Sequence, residues 1–435
     1  METIELQSKC GKWENIDWYL LSSKFSKSEI FYCPTLRISM LINDSLSESL
    51  REGNLPSAIR EKLNKRKNNP ITPIIERPKA FHLSIGLSNN CTLGCLYCHA
   101  DANKETTISK SVVDSAIDYS FQEAGKTPKR MLTVSFAVGG EPTMDWRLFT
   151  YTVNKIREFE KIHHYNVDKV YLSMTTNCYY GLPKRKFVAE NFDTLTLSID
   201  GYPEIQDSHR PNRSSKGSSS VVEETCKYFV DHGGVRVGVR ATVTKSSVNY
   251  LTEIVDYFSI KFGNNYSVTF EPMVQIGRAL NNALQSPSET EFAINLWKAK
   301  KRGEEIGIQV SSSGSNIKNL IGRYCGAMSI PSFTVCTDGT VTACHRDQDG
   351  KDYGYGFIDE LTGFVQISEE KIKSNILKSE LPESCNSCFA KFHCAGDCPD
   401  LRRINFSRCN FNRYMIYKQL EELLLKKINY RVFNN

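Results

Sequence analysis

The sequence predicts an α/β fold made of β-then-α units in series, and three observations carry the prediction. Apolar runs of strand length alternate with amphipathic stretches six times between Ala80 and about Gly303. At 435 residues the chain exceeds what one hydrophobic core usually serves, so two or three domains are expected. Beyond about Ser311 the periodicity fades, and eight of the 15 cysteines fall between Cys325 and Cys409. That texture suits a small domain organised by metal rather than by an apolar core.

Taken in order, residues 1–79 are the least regular and suggest a small α+β region. They offer a possible strand over Glu29–Asn43, then Ser45–Glu52, a basic helix-like stretch over Ala58–Asn68, and a Pro-containing linker from Asn69 to Pro78. Strands are predicted at 80–88, 132–140, 169–177, 194–200, 236–243 and 266–273. Helices are predicted near 109–124, 145–162, 184–191, 218–232, 248–262 and 288–303. Such a series builds a parallel sheet or barrel with helices outside and ligands at the carboxyl ends of the strands. The tail from Phe411 to about Tyr430 reads as an amphipathic packing helix. The expected domains are 1–79, 80–310, 311–412 and 413–435.

Composition narrows the class. With 40% hydrophobic and 24% charged residues, the chain is neither collagen-like, low-complexity nor disordered. No apolar run approaches the roughly 18–20 residues of a membrane span. The start, METIELQSKC, lacks the features of a secretory signal, so a cytoplasmic location is expected. A net charge of +6 is modest, and only Arg60, Lys62, Lys65, Arg66 and Lys67 cluster, so no nucleic-acid partner is expected. A reducing compartment does not use cysteines as disulfides, which points the clustered ones to metal or redox chemistry.

The first motif, Cys91-x3-Cys95-x2-Cys98, follows the first strand of the series. Four-iron clusters normally take four thiolates, so three leave one iron open. The competing reading is a zinc ion completed by His99. Gly139-Gly140-Glu141-Pro142 ends the second strand, where two glycines let the backbone approach a ligand and Glu141 can accept from an ammonium; an ordinary turn is the plainer reading. Thr176-Asn177 closes the third strand and Ser198-Ile199-Asp200-Gly201 the fourth, where a simple turn cap is the alternative. Arg240 and Glu271 lie in strands five and six and must face a polar lumen or be paired. Later come Cys325, Cys344, Cys385-x2-Cys388-x5-Cys394-x3-Cys398 and Cys409, for which zinc knuckles are the alternative. Cys10, Cys33, Cys178 and Cys226 have no partner spacing and are expected to be small buried apolar residues.

The cysteine triad, with Tyr97 before its last member, resembles the signature of radical S-adenosylmethionine (SAM) enzymes. The resemblance implies a partial (β/α)6 TIM-like barrel and a 4Fe-4S cluster on Cys91, Cys95 and Cys98 that binds SAM. It further implies that Gly139, Gly140, Glu141 and Pro142 take the amino group of the methionine moiety. Thr176, Asn177, Ser198 and Asp200 resemble positions that contact its ribose and carboxylate. The segment with Asp207 and His209 is similar to the family's loop ending in an arginine, Arg210, although Gln206 stands where many members have histidine. The later cysteines resemble the SPASM extension, which implies two auxiliary 4Fe-4S clusters. Cys325, Cys344 and Cys398 would hold the first, and Cys385, Cys388, Cys394 and Cys409 the second. Some relatives carry a further cysteine in the window that is Ser329–Pro331 here; either Cys336 substitutes for it or one iron stays open to substrate, water or a nearby side chain. His345 follows Cys344 where some SPASM enzymes place a carboxylate base; an unperturbed pKa of about 6.5 suits that task, and a surface histidine is the plainer reading.

The resulting expectation is a peptide maturase with three 4Fe-4S clusters. It would abstract hydrogen from a ribosomally synthesised precursor peptide and form an intramolecular C–C, C–O or thioether crosslink. Flavodoxin or ferredoxin would supply electrons, and residues 1–79 would bind a leader segment at a strand edge. The alternative is a sulfatase-type maturase forming formylglycine, which predicts a carboxylate at position 345. From another class, a multi-cluster electron carrier or zinc-binding interaction module has no use for the GGEP element or six βα units.

Overall fold

A computed structural model describes residues 6–23, 26–75, 80–100, 105–162, 165–232, 234–329 and 332–433. Residues 76–79 of the predicted linker, 330–331 of the ligand window and the last two residues of the tail lie outside them. The chain forms two compact units, one of residues 1–76, 314–325 and 379–435, the other of 77–313 and 326–378. Residues 311–412, expected as one domain, are thus divided between them. No helix among the described residues is long and apolar enough to cross a membrane.

The first unit opens with an antiparallel meander of β1 (Leu6–Trp13), β2 (Ile16–Ser23), β3 (Ser26–Cys33) and β4 (Ile38–Ile42). Glu14 and Asn15 make the β1–β2 turn with φ of 46° and 64°, the left-handed pair that matches strand twist. The strand predicted over Glu29–Asn43 is really two, because Pro34 lacks an N–H for the ladder and Arg37 N closes a turn on Pro34 O at 2.9 Å. Two helices follow, α1 (Asp44–Arg51) and α2 (Ser57–Asn64). The Asn43 side chain caps α1, accepting from Leu46 N at 3.1 Å. Trp18, Leu20, Phe31 and Ile38 of the sheet share a core with Leu50, Ile59 and Leu63 of these helices. Cys10 corrects its expectation: it is exposed, because β1 is the sheet's edge. Cys33, Cys178 and Cys226 are buried.

The second unit carries the βα series: β5 (Phe81–Ile85), α3 (Lys110–Gly125), β6 (Met131–Phe136), α4 (Trp146–Glu160), β7 (Lys169–Thr176), α5 (Leu182–Asn191), β8 (Thr194–Ser198), α6 (Pro203–His209), α7 (Ser219–His232), β9 (Arg236–Val243), α8 (Leu251–Phe262), β10 (Ser267–Pro272) and α9 (Glu289–Ile306). Strands β5 to β10 pair in parallel and in sequence order. Beyond α9, β11 (Gln309–Ser311) pairs in parallel with β10 at one end of the sheet. A four-residue helix, α10 (Gly326–Ser329), precedes β12 (Phe333–Val335), which joins the other end in parallel with β5. Then β13 (Thr340–Thr342), β14 (Gly354–Ile358) and β15 (Val365–Ile367) extend it antiparallel, before α11 (Glu369–Lys378). This pairing is why 326–378 belongs with the barrel.

This is a mixed α/β partial barrel with a cysteine-rich C-terminal region. Its strands alternate, which parallel strands buried on both faces do not. Leu132, Val134 and Phe136 are buried on β6, and Val170, Leu172 and Met174 on β7, while Thr133, Ser135, Tyr171, Ser173 and Thr175 between them are half-buried. One face therefore packs and the other lines a polar interior.

The first unit is completed by α12 (Lys391–Cys394), α13 (Pro399–Arg403) and α14 (Cys409–Phe433). Tyr19, Leu21, Ile30 and Tyr32, on the second face of the meander, form a core with Phe389, Ala390, Ile416 and Tyr417. The two chain ends thus stabilise each other.

Candidate active site

The cysteine loop after β5 is held from three sides. Gly94 N and Leu96 N donate to Pro211 O (2.7 Å) and His209 O (3.0 Å) at the end of α6. Arg278 N, after β10, donates to Cys98 O at 3.0 Å, and Asn282 Nδ2 donates to Leu96 O. From the end of β6, Gly140 N and Glu141 N donate to Ser88 O (2.8 Å) and Asn90 O (2.9 Å). A Cβ on Gly140 would lie 2.0 Å from Asn90 O. The close approach that this glycine permits is therefore to the chain's own backbone, one residue before Cys91.

Glu141 is bonded within the protein at the same turn. It is 2% exposed, and its carboxylate is filled by protein donors. Oε1 accepts from Thr176 Oγ1 (2.9 Å) and Thr143 Oγ1 (3.0 Å), and Oε2 from Asn177 N (2.8 Å). Burial raises its carboxyl above the ordinary range, and these hydrogen bonds oppose the rise. The side chain ties the end of β6 to the end of β7. Pro142 follows it, buried in the same turn.

A second buried constellation gathers at the end of β8. Asp200 Oδ1 pairs with Arg210 at 3.0 Å and accepts from Thr242 N at 2.9 Å. Its Oδ2 accepts from Tyr97 OH and faces His209 Nδ1 at 3.6 Å. Burial alone would raise the Asp200 carboxyl, but the Arg210 charge and hydrogen bond, with His209 close by, hold it well below the carboxylate range. The Arg210 guanidinium stands 5.2 Å over the Tyr97 ring. Gln206, missed as a functional residue because its expected counterpart is histidine, accepts from Asp200 N at 3.0 Å and donates to Ser218 Oγ at 3.1 Å. Ser198 is buried at the end of β8, where its strand alternation turns it to the polar face. Arg240 is exposed on that same face of the sheet, and Glu271 is paired, accepting from Ser313 N at 2.8 Å.

Cys91, Cys95 and Cys98 feel one another's charge. Burial pushes the Cys95 thiol up to about 12, with Arg210 opposing the rise. Such thiols become thiolates only when a cation joins them. Among the described residues no three His, Cys, Asp or Glu side chains converge on a single metal-ion position. One zinc ion draws four ligands to about 2.0–2.3 Å, whereas a cluster spreads its thiolates over separate irons. Arg210 Nε is buried without a hydrogen-bond partner among the described residues, a donor waiting for an acceptor beside this loop. The donor set fits a cluster with a bound anionic ligand.

Residues 85–257 match the family described as the Radical SAM superfamily. The chain is a radical SAM enzyme. It is 25% identical over 331 residues to the cysteine-type anaerobic sulfatase-maturating enzyme of Clostridium perfringens, covering 72% of this chain and 86% of that protein. The structure of native anSMEcpe with bound AdoMet and Cp18Cys peptide superposes with a TM-score of 0.60 at 22% identity, over 81% of this chain and 99% of that one. Streptococcus suis SuiB bound to S-adenosylmethionine gives 0.51 at 12%, over 86% and 93%. The cofactors of this chain are SAM and a 4Fe-4S cluster.

The remaining cysteines of this radical SAM enzyme fall in two groups. Cys385, Cys388, Cys394 and Cys409 are mutual electrostatic neighbours within the first unit. A buried ion pair braces them, with Arg408 Nε 2.9 Å from Asp397 Oδ2, between Cys394 and Cys409 in sequence. Of the other set, Cys325 and Cys398 belong to the first unit and Cys344 to the second. Cys336 is buried beside Cys344 at the β12–β13 turn, where burial pushes its thiol up. His345 is an exposed turn residue. Asp347, two residues on, is buried and accepts from Tyr353 N (2.7 Å) and Thr342 Oγ1 (3.0 Å), which fixes the turn.

Proposed function

We propose that this radical SAM enzyme modifies a protein or peptide and oxidises a cysteine or serine side chain to formylglycine. The extent of the likeness carries this reading: it spans 86% of a sulfatase-maturating relative, not the radical-generating segment alone. The crosslinking expected from the sequence is the less supported reading; His345, standing where the sulfatase type calls for a carboxylate, is the one observation that favours it. When bound, SAM and its cluster supply a carbon-centred radical that removes a hydrogen atom from the substrate. The chain's own part is to position and to exclude water. The Gly139–Pro142 turn, Ser198 and Arg210 would take SAM, with Tyr97 and Asp200 orienting Arg210, and Thr176 and Asn177 framing the turn. Cys385, Cys388, Cys394 and Cys409, and Cys325, Cys344 and Cys398, would hold two auxiliary 4Fe-4S clusters, whose chemistry is one-electron transfer. A polar cavity of about 400 Å³ beside the triad loop has Glu105, Arg213 and Arg278 in its wall, and flavodoxin or ferredoxin would be the electron donor. His345 is the side chain proposed as base.

The reaction is tested with reconstituted enzyme, SAM, a reductant and two substrates, a cysteine-containing sulfatase peptide and any short peptide encoded beside this gene. A product carbonyl that couples to a hydrazide is expected from the first. A hydrazide-silent crosslink in the second alone overturns the formylglycine reading.

Residues 1–76 supply a proposed binding edge for the substrate chain. Trp13 and Ile16 flank a two-residue turn and so form a hydrogen-bonded pair; alternation then turns Gln7, Lys9 and Gly11 toward β2 and leaves Ser8, Cys10 and Lys12 pointing outward. Among the described residues β1 is paired on one side only, and Lys9 and Lys12 suit an acidic strand added there. Cys10→Pro removes an outward N–H and is expected to weaken peptide binding about five- to tenfold, with stability kept. Lys9→Pro removes a ladder bond and should instead unfold the meander more readily. Calorimetry that finds the same peptide affinity for Cys10→Pro and wild type rejects the edge.

A further inference from the structure

We propose that Asn177 acts on the cluster's sulfur: its side-chain amide donates a hydrogen bond to Cys91 Sγ and thereby raises the reduction potential of the cluster. This rests on the reading of Cys91, Cys95 and Cys98 as four-iron ligands, and it gives Asn177 a positioning role different from the SAM contact that the resemblance implies. The amide Nδ2 lies 3.3 Å from Cys91 Sγ and 2.9 Å from Thr92 Oγ1. Its two N–H groups serve both acceptors. Oδ1 accepts from Tyr179 N at 2.9 Å, which settles the orientation of the amide. Exchanging O and N would lose that bond and turn a carbonyl lone pair against the sulfur.

The same residue is fixed through its backbone, because Asn177 N donates to Glu141 Oε2 at 2.8 Å. Glu141 is locked in turn by Thr143 and Thr176, both buried. The end of β6 thus sets the end of β7, which sets the amide on the sulfur. The Leu93 N–H is a second hydrogen bond to the same sulfur. Reduction adds electron density to the cluster and its sulfurs, so a donor on the sulfur stabilises the reduced state more than the oxidised one. The nearby carboxylate acts in the opposite direction, and the amide offsets it.

The test uses full-length reconstituted protein with Asn177→Ala, and Asn177→Asp as a shape-preserving second variant should alanine cost iron. The midpoint of the SAM-responsive cluster is followed by paramagnetic resonance during a redox titration. It is expected to move to more negative potential in both variants, in the absence as well as in the presence of SAM. Hyperfine spectroscopy in deuterated buffer should show exchangeable deuterons coupled to the reduced cluster in wild type, with the coupling from the side-chain amide lost in both variants while that from the Leu93 N–H stays. An unchanged midpoint with an intact cluster overturns the proposal, as does a loss of SAM affinity with no shift. Wild-type protein with no SAM-responsive signal refutes the cluster reading itself, a different failure.

Discussion

Replacing Cys91, Cys95 and Cys98 together by alanine is expected to abolish SAM-dependent formation of 5′-deoxyadenosine and to remove about four of about twelve iron atoms. The rest should stay, because the seven later cysteines are untouched and four of them cluster within the first unit. The variant should also fold. Without metal, burial holds the Cys91 and Cys95 thiols above the ordinary thiol range, so replacing these two by alanine leaves no buried charge behind. Thermal unfolding of the metal-free protein should match wild type, and iron, zinc and 5′-deoxyadenosine assays complete the measurement. Zinc in place of iron, with no cleavage by wild-type protein, would overturn the cluster assignment. Residual cleavage by the triple variant would move the radical chemistry to another set of cysteines.

The barrel and the triad were legible because their signals are local. Each βα unit repeats an apolar alternation such as Leu132-x-Val134-x-Phe136, and the strand ends fall within a few residues of the predicted ones. The triad lies within one loop. What was not legible depends on partners far along the chain. The β1 and β2 strands carry a weak polar pattern, and Gly11 has no local reason to be glycine. Its reason is Trp18 on the next strand, whose ring would lie 2.1 Å from a Cβ. Strands β12, β13 and β15 have three residues each, too short for periodicity, and β12 finds its place only by pairing with β5. In the site, the spacing of Gly139-Gly140-Glu141-Pro142 marks a ligand turn but cannot say that Glu141 is spent on Thr176 and Asn177. Asn282 and Arg278 grip the triad loop from beyond β10 with no motif of their own.

These partners reorder the importance of the polar residues around the triad. Glu141 and Asp200 look alike in sequence, as single acids at strand ends, yet the structure gives them different work. Glu141 is surrounded by neutral donors and joins two loops. Asp200 carries the charge balance, since the cation that acts on the Cys95 thiol is the guanidinium that Asp200 holds. Loss of Glu141 should loosen the frame. Loss of Asp200 should release a buried charge.

Asp200→Ala is therefore expected to destabilise the protein by about 3–5 kcal/mol, the range for breaking one side of a buried ion pair. Arg210 would stay nearly enclosed without its partner, its side chain 9% exposed, and Tyr97 OH and Thr242 N would lose their acceptor. Asp200→Asn keeps most of the shape and should fall between. The effect has a sign in pH. The native carboxyl is held low, so its contribution is present above the unfolded value of about 3.9 and fades as pH falls from there toward the native one. Wild type and Asp200→Ala should thus differ most near neutrality and converge on acidification, as followed by denaturant unfolding at a series of pH values. The double variant Asp200→Leu, Arg210→Met separates stability from function. With both charges gone it should recover most of the lost stability, yet SAM cleavage should remain impaired because Tyr97 and the arginine are no longer set beside Cys95. Recovery of cleavage together with stability would reduce the pair to a structural brace, and would move the SAM-binding role from Arg210 to the Gly139–Pro142 turn and Ser198.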